Sequence, residues 1–498
     1  MARATLRAIS IVAAGWWMVM VAATPASALP STQAAATAWV PRTIDVGAGR
    51  PFEDISAAVT AARDGDTVVV HGGVYAGPLV VERRITVVGV DQPVIDGGGS
   101  GTVVQLRAAG ARFGGFAVRN GGDRLDEEDA AVAVYAPAVV ENNVITEVLF
   151  GIDVQRAPGS VITNNRVTGR DLPIPRRGDA IRVWESAGTR VERNRIDRAR
   201  DVVIWFSKNV TVADNTVAHS RYGLHFMYAA GSHVTGNHLD RNAVGAFAMY
   251  SSDLRYERNL LTGNHGPSGY GLALKESSRI VIVDNIIAGN RTGIYFDNSP
   301  LEPDAFNEVA RNTIAYNDVG LAFVPSVKRN RFTANRFEEN MQQVAVVASG
   351  TFEGNDWTVD GVGNYWSDYS GFDADGDHIG DVPHAESSLF HSLLADHPAL
   401  RLFSLSPAQS TVDLAARAFP IFRPLPTLVD DAPLTHAPRS SIVLARPSAG
   451  PLLAESAACV ALALAVAAWG RRLGDAGRAP AVPPAGAWTA IDGARWRS

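Results

Sequence analysis

Two methionines and a histidine stand where a repeating chain could bring soft metal ligands together. Met227 and Met249 lie 22 residues apart, and His225 precedes Met227 by two residues. Thioether and imidazole groups together suit Cu(I), which is a soft ion. We therefore predict a copper site at His225, Met227 and Met249. The alternative is that these methionines only fill an apolar surface.

An acidic loop is a second candidate metal site. Asp373, Asp375, Asp377 and Asp381 alternate with other residues, and nearby glycines permit a tight wrap, which is how oxygen ligands surround Ca²⁺. The loop departs from an EF-hand, because its first glycine is not at the sixth position and no glutamate stands at the twelfth. We predict a structural calcium site here, with a solvated acidic turn as the alternative.

A repeated asparagine predicts the fold that positions these residues. Successive repeats from Asn143 to Asn335 are separated by 22, 29, 21, 22, 22, 26, 27 and 23 residues. Between them lie short stretches in which apolar residues alternate after a small residue, as in Gly223–Tyr228. Short strands at this period stack as coils, and the repeated asparagine can form a hydrogen-bonded ladder. The sequence therefore predicts an all-β, right-handed parallel β-helix.

The alternation also predicts which side chains point away from the helix. The first and third residues after the small residue face inward, so the residues between and after them face outward. On neighbouring coils this outward set includes Trp184, Phe206, Phe247 and Tyr295, beside the two methionines. An apolar stripe of this size predicts a partner interface. The alternative is that an insertion, a linker or a second copy of the chain covers it.

The remaining segments predict export, caps and a membrane anchor. Arg3 and Arg7 precede an apolar run that ends at the small-residue triplet Ala26–Ala28, which is typical of a secretory signal, with a retained anchor as the alternative. Residues 449–469 are mostly apolar and precede two arginines, which favours a transmembrane helix over a surface helix. The predicted divisions are a signal peptide at 1–28, the β-helix at 45–349 with a helical cap at Phe52–Arg63, a C-terminal cap at 350–400, an extended Pro-rich linker at 401–440, the anchor at 449–469 and a cytoplasmic tail at 470–498.

Composition and motifs exclude several classes of function. The net charge of −6 and the absence of a Lys/Arg-rich run argue against a nucleic-acid partner. Cys459 is the single cysteine, so the chain can form neither an internal disulfide nor a Cys-rich metal site. No paired carboxylates, Ser/His/Asp motif or phosphate-binding glycine loop is evident, so we expect no enzymatic activity. A carbohydrate-active or carbohydrate-binding β-helix is the alternative, on fold analogy alone.

Several phrases resemble the NosD family of periplasmic maturation proteins for nitrous oxide reductase. They are Gly223–Tyr228, Gly245–Tyr250, Gly363–Tyr369 continuing into Asp373–Asp381, and Phe419–Pro424. The resemblance covers about residues 45–438. It implies a non-enzymatic role in denitrification, in which the protein works with the membrane subunit of an ABC transporter and a copper chaperone to load copper into nitrous oxide reductase.

Two departures from the family pattern bear on these expectations. His378 stands where the family usually has glycine in the acidic loop, which weakens the expectation of calcium. The apolar segment at 449–469 is not a general family feature, and it could replace or reinforce tethering to the transporter. The family resemblance does not identify copper ligands, so the assignment of His225, Met227 and Met249 rests on their register.

Overall fold

Three long parallel sheets form the walls of a β-helix in the computed structural model of the chain. The structure describes residues 40–325, 327–347, 353–386, 389–390, 393, 397–403, 406–419, 428–440 and 442. Each coil contributes one strand to each wall, in the order sheet 1, sheet 2, sheet 3. Every strand in these sheets pairs in parallel with its copy in the next coil, as in the pairing of Leu224 with Ala246. The predicted parallel β-helix is confirmed.

The strands are short, and their bounds follow the repeat. Sheet 1 is formed by Thr43–Val46, Thr67–Val70, Thr86–Gly89, Ala111–Gly114, Ala138–Glu141, Val161–Thr163, Arg190–Glu192, Thr211–Ala213, His233–Thr235, Arg255–Glu257, Val281–Val283, Asn307–Ala310 and Asn330–Thr333. Sheet 2 is formed by Val74–Ala76, Val94–Asp96, Ala117–Arg119, Val144–Val148, Arg166–Gly169, Arg195–Asp197, Thr216–Ala218, His238–Asp240, Leu260–Thr262, Ile286–Ala288, Thr313–Ala315, Arg336–Glu338 and Tyr365–Trp366. Sheet 3 is formed by Leu79–Val81, Val104–Leu106, Ala130–Val134, Phe150–Gln155, Ile181–Trp184, Asp201–Trp205, Tyr222–Met227, Val244–Met249, Tyr270–Lys275, Thr292–Asp297, Val319–Phe323 and Gln342–Val346.

The interior of the helix is filled by the aliphatic and aromatic residues that alternate along these strands. Leu224 and Phe226 are fully buried, as are the corresponding residues of the neighbouring coils. Because identical positions stack from coil to coil, aromatic rings lie face to face, with 4.7 Å between the ring centroids of Phe296 and Phe323. Burial of one such side chain contributes about 1.5–3 kcal/mol to folding.

The repeated asparagines form a buried ladder at the turn between sheets 1 and 2. Each side-chain Nδ2 donates to the Oδ1 of the next asparagine at 2.9–3.1 Å, and that Oδ1 also accepts from the backbone N–H one coil earlier. The ladder continues across the long steps, as from Asn165 to Asn194. The buried amide groups of the turns are therefore satisfied by one another, as a buried backbone requires. The ladder members are Asn143, Asn165, Asn194, Asn215, Asn237, Asn259, Asn285, Asn312, Asn335 and Asn364.

A short helix covers the N-terminal end, as the sequence predicts. Helix α1 spans Ile55–Ala61, and the side chain of Asp54 accepts a hydrogen bond from the backbone N–H of Ala57 at 2.7 Å. Ile55, Ala58 and Val59 are buried against the first coil, which leaves less of the open solenoid end exposed. The helix is shorter than the predicted segment Phe52–Arg63.

The C-terminal boundaries differ from the prediction. Sheet 2 extends past residue 349, because Tyr365–Trp366 pairs with Arg336–Glu338. The segment 401–440, predicted as an extended linker, contains helix α2 at Pro407–Ala418 and a strand at Leu428–Asp430. A proline in the first turn of a helix requires no backbone donor, and Ser406 caps the N-terminus, so the helix tolerates Pro407.

The strand Leu428–Asp430 fixes this segment to the end of the helix. It pairs antiparallel with His384–Glu386. The Asp430 carboxylate accepts hydrogen bonds from the backbone N–H of Asn364 at 2.7 Å and from the indole N–H of Trp366 at 2.9 Å. Asp430 thus ends the asparagine ladder, which would otherwise leave buried donors unpaired. Short 3₁₀ segments lie at Ile174–Arg176 and Pro398–Phe403.

The predicted signal peptide, anchor and cytoplasmic tail (1–28, 449–469 and 470–498) lie outside the described residues. Within the described part of the chain, no helix is both long enough and apolar enough to cross a bilayer.

Candidate metal and partner-binding face

The outer face of sheet 3 brings the three predicted copper ligands together. Met227 and Met249 are directly paired on neighbouring strands, and His225 lies two residues from Met227 on the same face. Neighbouring strands are about 4.8 Å apart, and alternate residues on one strand about 6.6–6.8 Å. The three side chains therefore leave the sheet side by side.

His225 is held by a buried carboxylate that leaves one ring nitrogen free to act as a ligand. Its Nδ1 lies 3.2 Å from the Oδ2 of Asp201, while Nε2 is buried and has no hydrogen-bond partner among the residues described. Burial by itself would raise the pKa of Asp201, but hydrogen bonds from His225 and Arg221 outweigh it and hold that pKa below its usual value. A carboxylate behind an imidazole is the usual support of a metal-binding histidine.

The two methionines also take part in apolar packing. Phe247 is buried together with Val244 and Ala273, and the side chain of Met249 packs against this cluster. Met227 and Met249 both remain partly exposed. Their sulfur atoms can therefore serve a soft ion near the surface while their methylene groups cover apolar neighbours.

Three of the four predicted interface residues lie on this face. Phe247 is 8% exposed, and Tyr295 stacks on Tyr270 with 4.4 Å between ring centroids. Burial and the neighbouring Tyr270 and Asp297 raise the pKa of Tyr295 to about 12, so its hydroxyl stays protonated. Trp184 is partly exposed, and the guanidinium of Arg156 lies over its ring. Aromatic residues of this kind are typical anchors of protein interfaces.

Phe206, the fourth, is displaced by one residue from its predicted position. Ile204, predicted to face outward, is fully buried, and Trp205 pairs with Trp184 and Met227 on the outer face. The pairing register shifts between Asp201 and Val203, which the sequence spacing did not reveal. Phe206 instead occupies a left-handed turn at the strand end, where its exposed ring stacks on Tyr228.

The sequence analysis missed a set of ion pairs beside this aromatic region. Three buried aspartates on the same side of the helix are bound by arginines that are partly exposed or buried. Each arginine lies about one coil along the chain from its aspartate, so opposite charges separated by one repeat were the available signal. The pairs are Asp153–Arg182, Asp179–Arg200 and Asp201–Arg221.

The acidic loop brings three of its four predicted ligands together. Asp373, Asp375 and Asp377 each offer an oxygen, and these oxygens lie within 4.8 Å of one another. Asp381 instead accepts a hydrogen bond from the backbone N–H of Ala374 at 2.7 Å. His378 adopts φ of 72°, in the left-handed region that favours glycine. Calcium binding by this loop stays a prediction.

Comparisons with known proteins point to one family. A family model described as "Periplasmic copper-binding protein (NosD)" matches residues 163–371. The chain is 31% identical over 381 residues to the "Probable ABC transporter binding protein NosD" of Pseudomonas aeruginosa, covering 74% of this chain and 87% of that protein. The protein of the same name from Stutzerimonas stutzeri is 27% identical over 387 residues, with the same coverage.

Solved structures with a similar backbone are more distant. The A-module of the Azotobacter vinelandii mannuronan C-5 epimerase AlgE6 gives a TM-score of 0.48 at 14% identity, over 60% of this chain and 91% of that one. The periplasmic alginate epimerase AlgG gives a TM-score of 0.34 at 12% identity, over 56% of this chain and 77% of that one. A similarity at this level does not assign an activity to the chain.

Proposed function

Because the chain belongs to the NosD family, we propose that it is an exported, non-catalytic protein that binds copper in the periplasm. In this proposal it assists assembly of the copper centre of nitrous oxide reductase. The family description as a periplasmic copper-binding protein supports the compartment and the metal. The arginines that engage the buried aspartates of sheet 3 support a structural role for those carboxylates.

The proposed partners are the membrane subunit of an ABC transporter, a copper chaperone and nitrous oxide reductase itself. The names of the two relatives support the transporter. The outer face of sheet 3 is the surface we assign to docking, because Trp184, Phe247 and Tyr295 lie there beside the candidate copper ligands. A copper ion at Met227 and Met249 would then be transferred within the interface.

One observation carries the copper assignment. The Nε2 atom of His225 is buried without a hydrogen-bond partner among the described residues, although buried polar atoms normally have one. Asp201 holds the opposite nitrogen, and the paired Met227 and Met249 lie on the same face. An imidazole nitrogen beside two thioethers is a ligand set for Cu(I), which accepts few ligands and prefers sulfur.

A competition titration with a Cu(I) chelator tests this site in the full chain. We expect His225→Ala/Met227→Leu/Met249→Leu to lower Cu(I) affinity more than ~100-fold, since even loss of a second-shell partner costs about 10–100-fold. Leucine conserves the volume of methionine, so the apolar packing should persist. His265→Ala/Met341→Leu is the matched control, because it removes the same ligand types elsewhere. Equal affinities of the triple variant and the native chain would contradict the assignment.

A further inference from the structure

A second group of metal-ligand types lies at the C-terminal end of the β-helix. Asp368 follows the last strand of sheet 2, and His384 and Glu386 lie on the two-stranded sheet that closes this end. One ligand atom from each of these three residues lies within 4.8 Å of the other two. This group shares no residue with the acidic loop or with the outer face of sheet 3.

The imidazole of His384 is fixed in position and has an unsatisfied nitrogen. The residue is 7% exposed, and its ring stacks on Trp366 with 4.8 Å between centroids. Tyr369 packs edge-on against the same ring. The Nε2 atom is buried and accepts or donates no hydrogen bond within the described part of the chain. A buried ring nitrogen without a partner is uncommon unless it binds an ion or water.

The carboxylates beside His384 favour a positive charge between them. Desolvation and the negative charge of Glu386 raise the pKa of Asp368. Two carboxylates close together disfavour the charged form of one of them, and a divalent cation between them would reverse this effect.

We propose that Asp368, His384 and Glu386 bind a divalent transition-metal ion such as Zn²⁺. One imidazole and two carboxylates are common ligands of Zn²⁺, and solvent can complete the tetrahedral coordination. The set contains no sulfur, so it suits a divalent ion rather than Cu(I). The site is therefore distinct in its metal from the copper site proposed on sheet 3.

The bound ion would fasten the end of the helix. Asp368 belongs to the turn after Tyr365–Trp366, whereas the strand that carries His384 pairs with the strand that carries Asp430. Asp430 ends the asparagine ladder. A metal ion that joins these two segments would hold the ladder's terminal acceptor in place, and its binding free energy would add to stability.

Calorimetric titration of the metal-free full chain with Zn²⁺, together with thermal unfolding, tests the site. We expect Asp368→Asn and His384→Gln each to weaken binding of one Zn²⁺ equivalent by at least ~10–100-fold. Both variants should also lose the rise in Tm that Zn²⁺ gives the native chain. Asp368 is exposed, so its replacement by asparagine should fold even if His384→Gln does not.

Two control variants separate this site from others. His265→Ala removes an exposed histidine in a loop, and Asp373→Asn/Asp375→Asn removes two carboxylates of the acidic loop. Both should retain the Zn²⁺-dependent rise in Tm. The proposal is overturned if Asp368→Asn binds Zn²⁺ as tightly as the native chain, or if Zn²⁺ leaves the Tm of the native chain unchanged. Either result would leave the copper site on sheet 3 unaffected.

Discussion

At the scale of single residues, the candidate copper site depends on Asp201 as much as on the ligands. Its buried carboxylate contacts both His225 and Arg221, so it orients the imidazole and neutralises the guanidinium. The ligands were predictable from sequence, because a 22-residue spacing places Met227 and Met249 on the same face. Asp201 was not, because a bulge at this strand shifts the pairing register and its partners come from the next coil.

Replacement of this carboxylate should destabilise the protein in a pH-dependent way. We expect Asp201→Asn to lower the free energy of unfolding by about 1–3 kcal/mol near neutral pH, because it leaves Arg221 without a charge partner. The pKa of Asp201 is lower in the folded chain than its ordinary value of 3.8. Its stabilisation is therefore complete above that value and disappears as the pH falls through the lowered pKa.

Denaturant unfolding of both proteins between pH 2 and pH 7 measures this difference, a range that spans about 3.8. The gap between native chain and variant should be constant near neutrality and should close in acid. Asp197→Asn is the control, because Asp197 forms a more exposed pair with His219 and should change stability by only ~0–1 kcal/mol. A gap that stays the same at low pH would show that the charge of Asp201 does not contribute.

At the scale of elements, the asparagine ladder keeps the coils in register despite insertions of different length. Steps of 29, 26 and 27 residues carry loops, yet the side-chain bonds across them have the same lengths as those across steps of 22. The repeat in the sequence was enough to predict these turns. The same spacing could not predict the position of Phe206, because a bulge within a strand leaves the ladder unchanged.

Removal of one ladder residue should affect several buried groups at once. Asn237→Ala takes a partner from both the backbone N–H and the side chain of Asn215, and from the carbonyl of Val212. Each buried polar group left unpaired costs about 1–3 kcal/mol, so we expect the free energy of unfolding to fall by at least ~3 kcal/mol.

Chemical denaturation of Asn237→Ala beside Thr216→Ala measures this cost. Thr216 lies next to the ladder residue Asn215, but its side chain is partly exposed, so its truncation should change stability by less than ~0.5 kcal/mol. Similar stabilities for the two variants would mean that water replaces the lost ladder bonds.

At the scale of the whole molecule, a closed and rigid solenoid presents one side for metal and partners. The N-terminal helix was predictable from its amphipathic pattern, and the inward residues were predictable from their alternation. The closing strand Leu428–Asp430 was not, because it contacts residues more than 60 positions away and lies in a Pro-rich segment without the repeat. Long-range contacts of single strands leave no period in a sequence.

X-ray absorption at the copper edge tests the central claim most directly. The full chain loaded with one equivalent of Cu(I) should show one nitrogen and two sulfur neighbours, from His225, Met227 and Met249. Met227→Leu/Met249→Leu should lose the sulfur contribution, whereas Met341→Leu should retain it. A first shell that contains only nitrogen and oxygen in the native chain would contradict a copper site on the outer face of sheet 3.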